Sequence, residues 1–488
     1  MNANKRVFQF IFFSLLLYLV FSYINIAYRK KWEPFDRINL ISDVIVKPRE
    51  NVALHQNRYT SGSKKVKQNN DEKKNDSLTM HSNASIDEAF MTASDSSKEK
   101  VIVSAEALPL NLNQSDIISF NIDSESVALS RFIKKLIALK NGKKTKVRIA
   151  YLGDSMIEGD LLSQTLRSLL QQAYGGSGVG FVPIASQVAQ FRRTAIASSS
   201  ANWRDFNFKN TKKQDLFISG HVFFSSGNDW VKIKDNTSKD TSIVLGKYLL
   251  HGPATDSASV VVNKKTMMLE RTSLFNRTLV AHNKDKSIVV SSADRKLPLF
   301  GLSFESDQGV IVDNFSFRGI SGLELGKINA DLLKEINEQN PYDLIIFQYG
   351  VNVLYKPDDT NFTWYKRAAI PVVKKMKACF SKADVLIVGT GDRAFRYPEG
   401  YQSAVGIEAL IKEQAALAKQ TDCAFFSLYA AMGGKNSMVN WATQNPSLAN
   451  KDYVHPNALG AKLLAKHLFE AINKQVKKSE NTNLNGTD

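Results

Sequence analysis

The sequence predicts an α/β fold: a parallel sheet with helices on both faces, interrupted once by a block of strands. Two observations carry this. Strand and helix patterns alternate before about residue 200 and again after 325. Between these stretches strand follows strand for over 100 residues, the texture of an inserted β-sandwich. A third observation concerns the start of the chain. Residues 7–27, VFQFIFFSLLLYLVFSYINIA, carry no charge. At 1.5 Å per residue they are long enough for a hydrocarbon core of roughly 30 Å.

The elements follow in order. The stretch 7–27 reads as an uncleaved membrane anchor with its short end inside, since no small-residue cleavage site follows it; a buried core helix is the alternative. Residues 48–115, rich in Ser, Asn, Asp and Lys, bury too little apolar surface to offset ordering entropy and read as a tether. SVALSRFIKKLIALK has helical spacing at Leu129, Phe132, Ile133, Leu136 and Ile137. KVRIAYLGDS is a strand running into a turn, and LLSQTLRSLLQQAYGG is a helix stopped by Gly175 and Gly176. The strand block comprises HVFFSS, DWVKIK, TSIVLGKYLL, ASVVV, SIVVSS, LFGLSFES and GVIVDNFSF. Then come the strands YDLIIFQYG, ADVLIVGTG and CAFFSLYAAM, separated by helices, and the helix ALGAKLLAKHLFEAIN. The expected divisions are an anchor at 1–31, a tether at 32–115, the first part of the α/β domain at 116–199, the inserted sandwich at 200–314, the second part at 315–475 and a polar tail at 476–488.

Charge and cysteine content narrow the function class. The net charge is +17, yet no long basic run occurs beyond residue 115; the densest cluster is Lys143, Lys144, Lys146 and Arg148. This argues against nucleic acid and for an envelope protein meeting an anionic matrix or membrane. Two cysteines, Cys379 and Cys423, exclude a disulfide scaffold and leave either one disulfide or two buried thiols. His221, His251 and His282 lie in the strand block without metal-ligand spacing. GGSGVGF lacks the Gly-Lys-Ser/Thr ending of a phosphate loop and reads as a helix cap beside the site.

Parallel strands deliver functional residues at their carboxyl ends. Those ends carry Gly153-Asp154-Ser155, then Arg318 to Gly322, then Gly350-Val351-Asn352, then Gly389 to Arg393. Asp452 and His455 precede the last helix. A serine nucleophile needs a base, and the base needs an orienting carboxylate. Ser155, expected at a helix start, His455 and Asp452 supply that set. Ser155 N–H, Gly322 N–H and the Asn352 amide could hold an oxyanion. Asp154, Gly350, Asp392, Arg393 and Trp441 are candidate substrate contacts, with Trp441 and Met432 either walling a pocket or packing in a loop.

This constellation resembles the SGNH (GDSL-type) hydrolase family. The matches are Gly153-Asp154-Ser155, Gly322, Gly350-x-Asn352 and Asp452-x-x-His455; Val353 stands where the third block usually has Asp. The resemblance implies a flavodoxin-like three-layer α/β/α fold and a serine esterase with Ser155 as nucleophile, His455 as base, Asp452 as its orienter, and no metal or organic cofactor. Over about 120–475 the sequence looks like peptidoglycan O-acetylesterases, which carry a carbohydrate-binding-like sandwich between the first and second blocks. The expected partners are an O-acylated, most simply O-acetylated, envelope glycan and, through the anchor, a membrane, with the body outside the cytoplasm. The rival readings are an O-acetyltransferase on the same triad, an esterase for other substrates such as lipids, and a non-catalytic glycan-binding protein.

Overall fold

The computed structural model describes residues 110–485, apart from 124–125, 187, 256–257 and 270–272, together with Phe13. The expected anchor and residues 32–109 of the expected tether lie outside the described residues but for Phe13. Among the described residues, no helix is long and apolar enough to cross a membrane.

Strands β1 (Ile118–Ser119), β2 (Lys146–Gly153), β3 (Gly309–Ser316), β4 (Leu344–Gln348), β5 (Asp384–Gly389) and β6 (Ala424–Ser427) form one sheet, in the order β1-β6-β5-β4-β2-β3. β2 to β6 are parallel, and β1 is an antiparallel edge. The five parallel strands therefore run 2-1-3-4-5, the flavodoxin-like order, with the switch point between β2 and β4. Every residue of β4 and β5 is buried, which is why both read as unbroken apolar runs.

Helices α1 (Ser130–Lys140) and α2 (Ser163–Tyr174) bury Phe132, Ile133, Leu166 and Leu170 against one face of the sheet. Helices α3 (Ala330–Gln339), α4 (Thr363–Cys379) and α5 (Ile407–Thr421) bury Leu332, Met376 and Leu410 against the other. Two short helices, α6 (Leu428–Met432) and α7 (Ser437–Thr443), lead to α8 (Ala458–Asn485), which joins the first face. α8 runs through residues expected to form a polar tail from 476; no Gly or Pro interrupts it before Asn485. Cys379 and Cys423 are free buried thiols, so the disulfide alternative falls.

Two antiparallel sheets form the insert between β2 and β3. One consists of Ala195–Ser199, Asp229–Asp235, Ser259–Val262, Lys265–Met268 and Ser287–Ser292. The other consists of Gly180–Pro183, Arg204–Asn207, His221–Phe224, Leu245–His251, Asn276–Asn283 and Leu299–Glu305. Val231, Ile233, Leu249, Val290 and Leu302 fill the space between them. The expected boundaries at 200 and 314 need correction. Strands of the sandwich begin before 200, and 309–316 is β3, an element of the parallel sheet. The run LFGLSFESDQGVIVDNFSF holds two similar strands that belong to different sheets.

The seam between sandwich and parallel sheet is partly aromatic: Phe217 stacks on Phe300 at 4.8 Å and lies 5.7 Å from Phe315 of β3. It is also ionic. Glu305, wholly buried at the sandwich's last strand, pairs with Arg148 of β2, with Lys146 at 2.7 Å and with Arg277 at 2.9 Å. Arg148 also pairs with Asp313 of β3 at 3.1 Å. Burial would raise the Glu305 carboxyl, but Arg148, Arg277 and Lys146 hold it far below the ordinary carboxylate range. Glu305→Gln leaves those cations without their shared counter-charge. We expect a loss of about 3–5 kcal/mol, read as a shift in the denaturant midpoint. A loss under about 1 kcal/mol would mean the seam is held by apolar contact alone.

Candidate active site

Ser155 follows β2 on a sharp turn. The helix expected to start there begins later: a turn and a short 3₁₀ segment, Glu158–Asp160, precede α2. The Ser155 hydroxyl lies 2.8 Å from His455 Nε2. His455 Nδ1 lies 2.7 Å from Asp452 Oδ2. With Nδ1–H donated to the carboxylate, Nε2 accepts from the serine hydroxyl. The Asp452-x-x-His455 turn is self-bracing, because Asp452 Oδ1 also accepts the backbone N–H groups of Val454 and His455, each at 3.0 Å. Partial burial pushes the Asp452 carboxyl up, yet those N–H groups and the imidazole hold it below its ordinary value. Tyr453 sits in the left-handed region at φ 57° and stacks on Tyr401 with ring centroids 3.9 Å apart.

Asn352, on the turn after β4, joins three strand ends. Its Nδ2 donates to Ile320 O at 2.8 Å and to Asp154 Oδ2 at 3.2 Å. Both amide hydrogens are thus engaged, so an oxyanion there must displace one of these partners. Gly322 adopts φ +91°, and a Cβ on it would come within 2.6 Å of the Tyr349 ring. Gly350 adopts φ +139° with Thr390 equally close. Neither position tolerates a side chain, which accounts for both glycines.

The remaining expected contacts take other places. Asp154 is buried and binds Met156 N–H at 3.0 Å as well as Asn352. Burial raises its carboxyl to about 7 despite those hydrogen bonds, with Glu158 adding to the rise. Arg393 donates to Val351 O at 2.7 Å and Leu354 O at 2.6 Å, clamping the Asn352 turn from both sides. Asp392 is buried and accepts from Met438 N–H at 2.9 Å, capping the first turn of α7. Trp441 is on α7, not a loop, and is buried in the core with Met432 and Leu464. Asp154, Asp392 and Trp441 are thus all buried within the scaffold around the site. Among the described residues, no group of three or more His, Cys, Asp and Glu is placed to hold a metal ion.

One group escaped the sequence reading. Asp160, buried at φ 67°, binds Arg167 at 2.6 and 3.0 Å, Ser163 at 2.5 Å and Thr194. Arg192 approaches to 3.5 Å. Burial works against its charge, but Arg167 and Arg192 keep Asp160 ionised far below the usual carboxylate range. The only sequence signal was a second Gly-Asp, Gly159-Asp160, with Arg167 seven residues on.

No family model and no curated protein matches the chain. Its fold is similar to a solved structure described as "Peptidoglycan O-acetylesterase in action, 5 min", with a TM-score of 0.62 and 22% identity over 74% of this chain and 99% of that one. An acetylxylan esterase from Geobacillus stearothermophilus matches at TM-score 0.26 and 18% identity, over 34% of this chain and 74% of that one. A family two carbohydrate esterase from Cellvibrio japonicus matches at TM-score 0.25 and 10% identity, over 58% of this chain and 99% of that one.

The raised Asp154 carboxyl has a measurable consequence. The folded state holds a proton that the unfolded chain has lost, so stability falls as pH rises from about 4 to about 7. Asp154→Asn removes this pH dependence. We expect the variant's melting temperature to drop less between pH 5 and pH 8 than the wild type's, by at least a few degrees. Parallel profiles would show that Asp154 titrates normally.

Proposed function

We propose that this protein is a serine esterase that removes O-linked acyl groups, acetyl foremost, from an envelope glycan such as peptidoglycan. The observation that carries the reading is the Ser155–His455–Asp452 hydrogen-bonded row at the carboxyl end of a parallel sheet. The likeness in fold to a structure described as a peptidoglycan O-acetylesterase supports the choice of substrate.

In this mechanism His455 Nε2 takes the hydroxyl proton as Ser155 Oγ attacks the ester carbonyl. Asp452 stabilises the imidazolium and fixes its tautomer. The tetrahedral oxyanion is held by the N–H groups of Ser155 and Gly322 and by Asn352 Nδ2, which exchanges its Asp154 or Ile320 partner for the oxyanion. As the intermediate collapses, His455 protonates the departing sugar oxygen, which leaves as a free hydroxyl. Water that His455 deprotonates then attacks the acyl-enzyme, and the imidazolium returns that proton to Ser155 Oγ as the free acid leaves. The uncharged stretch 7–27 supports membrane anchoring, with the body outside the cytoplasm.

The test follows acetate release by the full-length protein from p-nitrophenyl acetate and from O-acetylated peptidoglycan. Ser155→Ala and His455→Ala should each lower kcat by at least about 10³-fold on both. Asn352→Ala should cost about 10²-fold. Wild-type release from the small ester alone would remove peptidoglycan as the substrate. Release from neither would remove the esterase reading.

A further inference from the structure

A groove of about 740 Å³ runs along the seam between the sandwich and the ends of β2 and β3. Trp203, His221 and Lys209 line it from the sandwich; Glu158 and Arg318 line it from the turns after β2 and β3. Glu158 is only three residues beyond Ser155. The groove therefore opens beside the proposed site without including its catalytic side chains.

Its lining is fixed in advance. Trp203 is half-buried, and its indole N–H donates to Trp230 O at 3.1 Å. The His221 ring lies between Phe223 and Phe317, at centroid distances of 5.5 and 4.8 Å, and its Nδ1 meets Asp205 at 2.8 Å. Arg318 and Glu158 join across the mouth at 2.6 Å. Serines 198–200 add hydroxyls along the wall. The volume is in the range of ligand sites, about 300–1,000 Å³, and far exceeds what an acetyl group fills. A held aromatic face, an oriented imidazole and hydroxyls within one concave surface suit a chain of polyhydroxylated rings.

We propose that this groove binds the polysaccharide chain that carries the ester, and so selects polymeric over small substrates. The proposal rests on the reading of the protein as a glycan esterase. Sugar rings seated between the sandwich and the strand ends hold the chain while one acylated ring reaches Ser155. Their binding energy acts on a part of the substrate remote from the ester, and keeps successive esters at high local concentration.

The test compares kcat/KM on O-acetylated peptidoglycan with kcat/KM on p-nitrophenyl acetate, using the full-length protein. Trp203→Ala, just before the strand Arg204–Asn207, and His221→Ala, at the start of the strand His221–Phe224, should each lower the polymer-to-small-ester ratio by about tenfold or more. Met268→Ala, an exposed site on an edge strand of the other sheet, should leave the ratio within about twofold. An unchanged ratio in both groove variants, with wild-type melting temperatures, overturns the proposal. So does an equal fall in Met268→Ala. A second readout separates this proposal from the esterase reading: co-sedimentation of Ser155→Ala with insoluble O-acetylated peptidoglycan. Should the wild type hydrolyse neither ester, loss of sedimentation on adding Trp203→Ala still upholds the groove. Retained sedimentation overturns it.

Discussion

The buried carboxylate of Asp160 is the constraint on which the arrangement around Ser155 depends. An unpaired anion so deep would be untenable, and its partners come from three directions. Arg167 belongs to α2, while Arg192 and Thr194 belong to the segment that enters the sandwich. Asn314 of β3 donates to the neighbouring Ile157 O at 2.9 Å and Ser163 Oγ at 2.6 Å. The turn carrying Ser155 is thereby tied to the helix behind it, the strand beside it and the inserted domain. The left-handed backbone at Asp160 is tolerated because these partners over-determine its position.

The opposite side of the site is built by similar means. The Asn352 turn is clamped by Arg393, and Gln414 of α5 bridges the ends of β4 and β5 through Tyr349 O at 2.7 Å and Thr390 N–H at 2.9 Å. Asn352 then reaches Asp154 and Ile320, so the first, second and third strand ends share one amide group. The Asp452–His455 turn braces itself in part, since its carboxylate accepts two of its own backbone N–H groups, and Ala394 N–H holds Tyr453 O from outside at 3.0 Å. Much of this geometry is therefore held by Arg393 and Gln414, side chains outside the Ser155–His455–Asp452 row.

Much of this was legible in the sequence. The uniform apolar runs of β4 and β5 could only be strands buried on both faces, and their trailing Gly, Asn and Asp marked the functional edge. Ser155, Asn352, Asp452 and His455 stood out because turn and cap residues occurred together at successive strand ends. Other features escaped for physical reasons. The boundary of the insert was hidden because Leu299–Glu305 and β3 are equally apolar, each pressed between layers. The bracing contacts of Asp154, Asp392 and Arg393 were hidden because polar residues near a strand end read alike whether they face a ligand or brace a loop. The Asp160 cluster has a faint local sign in Gly159-Asp160 and Arg167, but Thr194 lies 34 residues beyond Asp160 and no local pattern announces it.

The position of the sandwich also bears on how the chain assembles. β3 must pair with β2 in parallel, Val147 opposite Val310, across the whole insert. Closing so long a loop carries an entropic cost, and such distant pairings form slowly. The sandwich shortens the search. Gly180–Pro183, at its entry, pairs with Leu299–Glu305, at its exit, setting Gly180 beside Phe304. Once that pairing exists, β3 emerges a few residues away from the edge of β2 that it must join. The topology thus makes the inserted domain a folding template for the sheet that hosts it, with the Gly322 turn among the last parts delivered to the site.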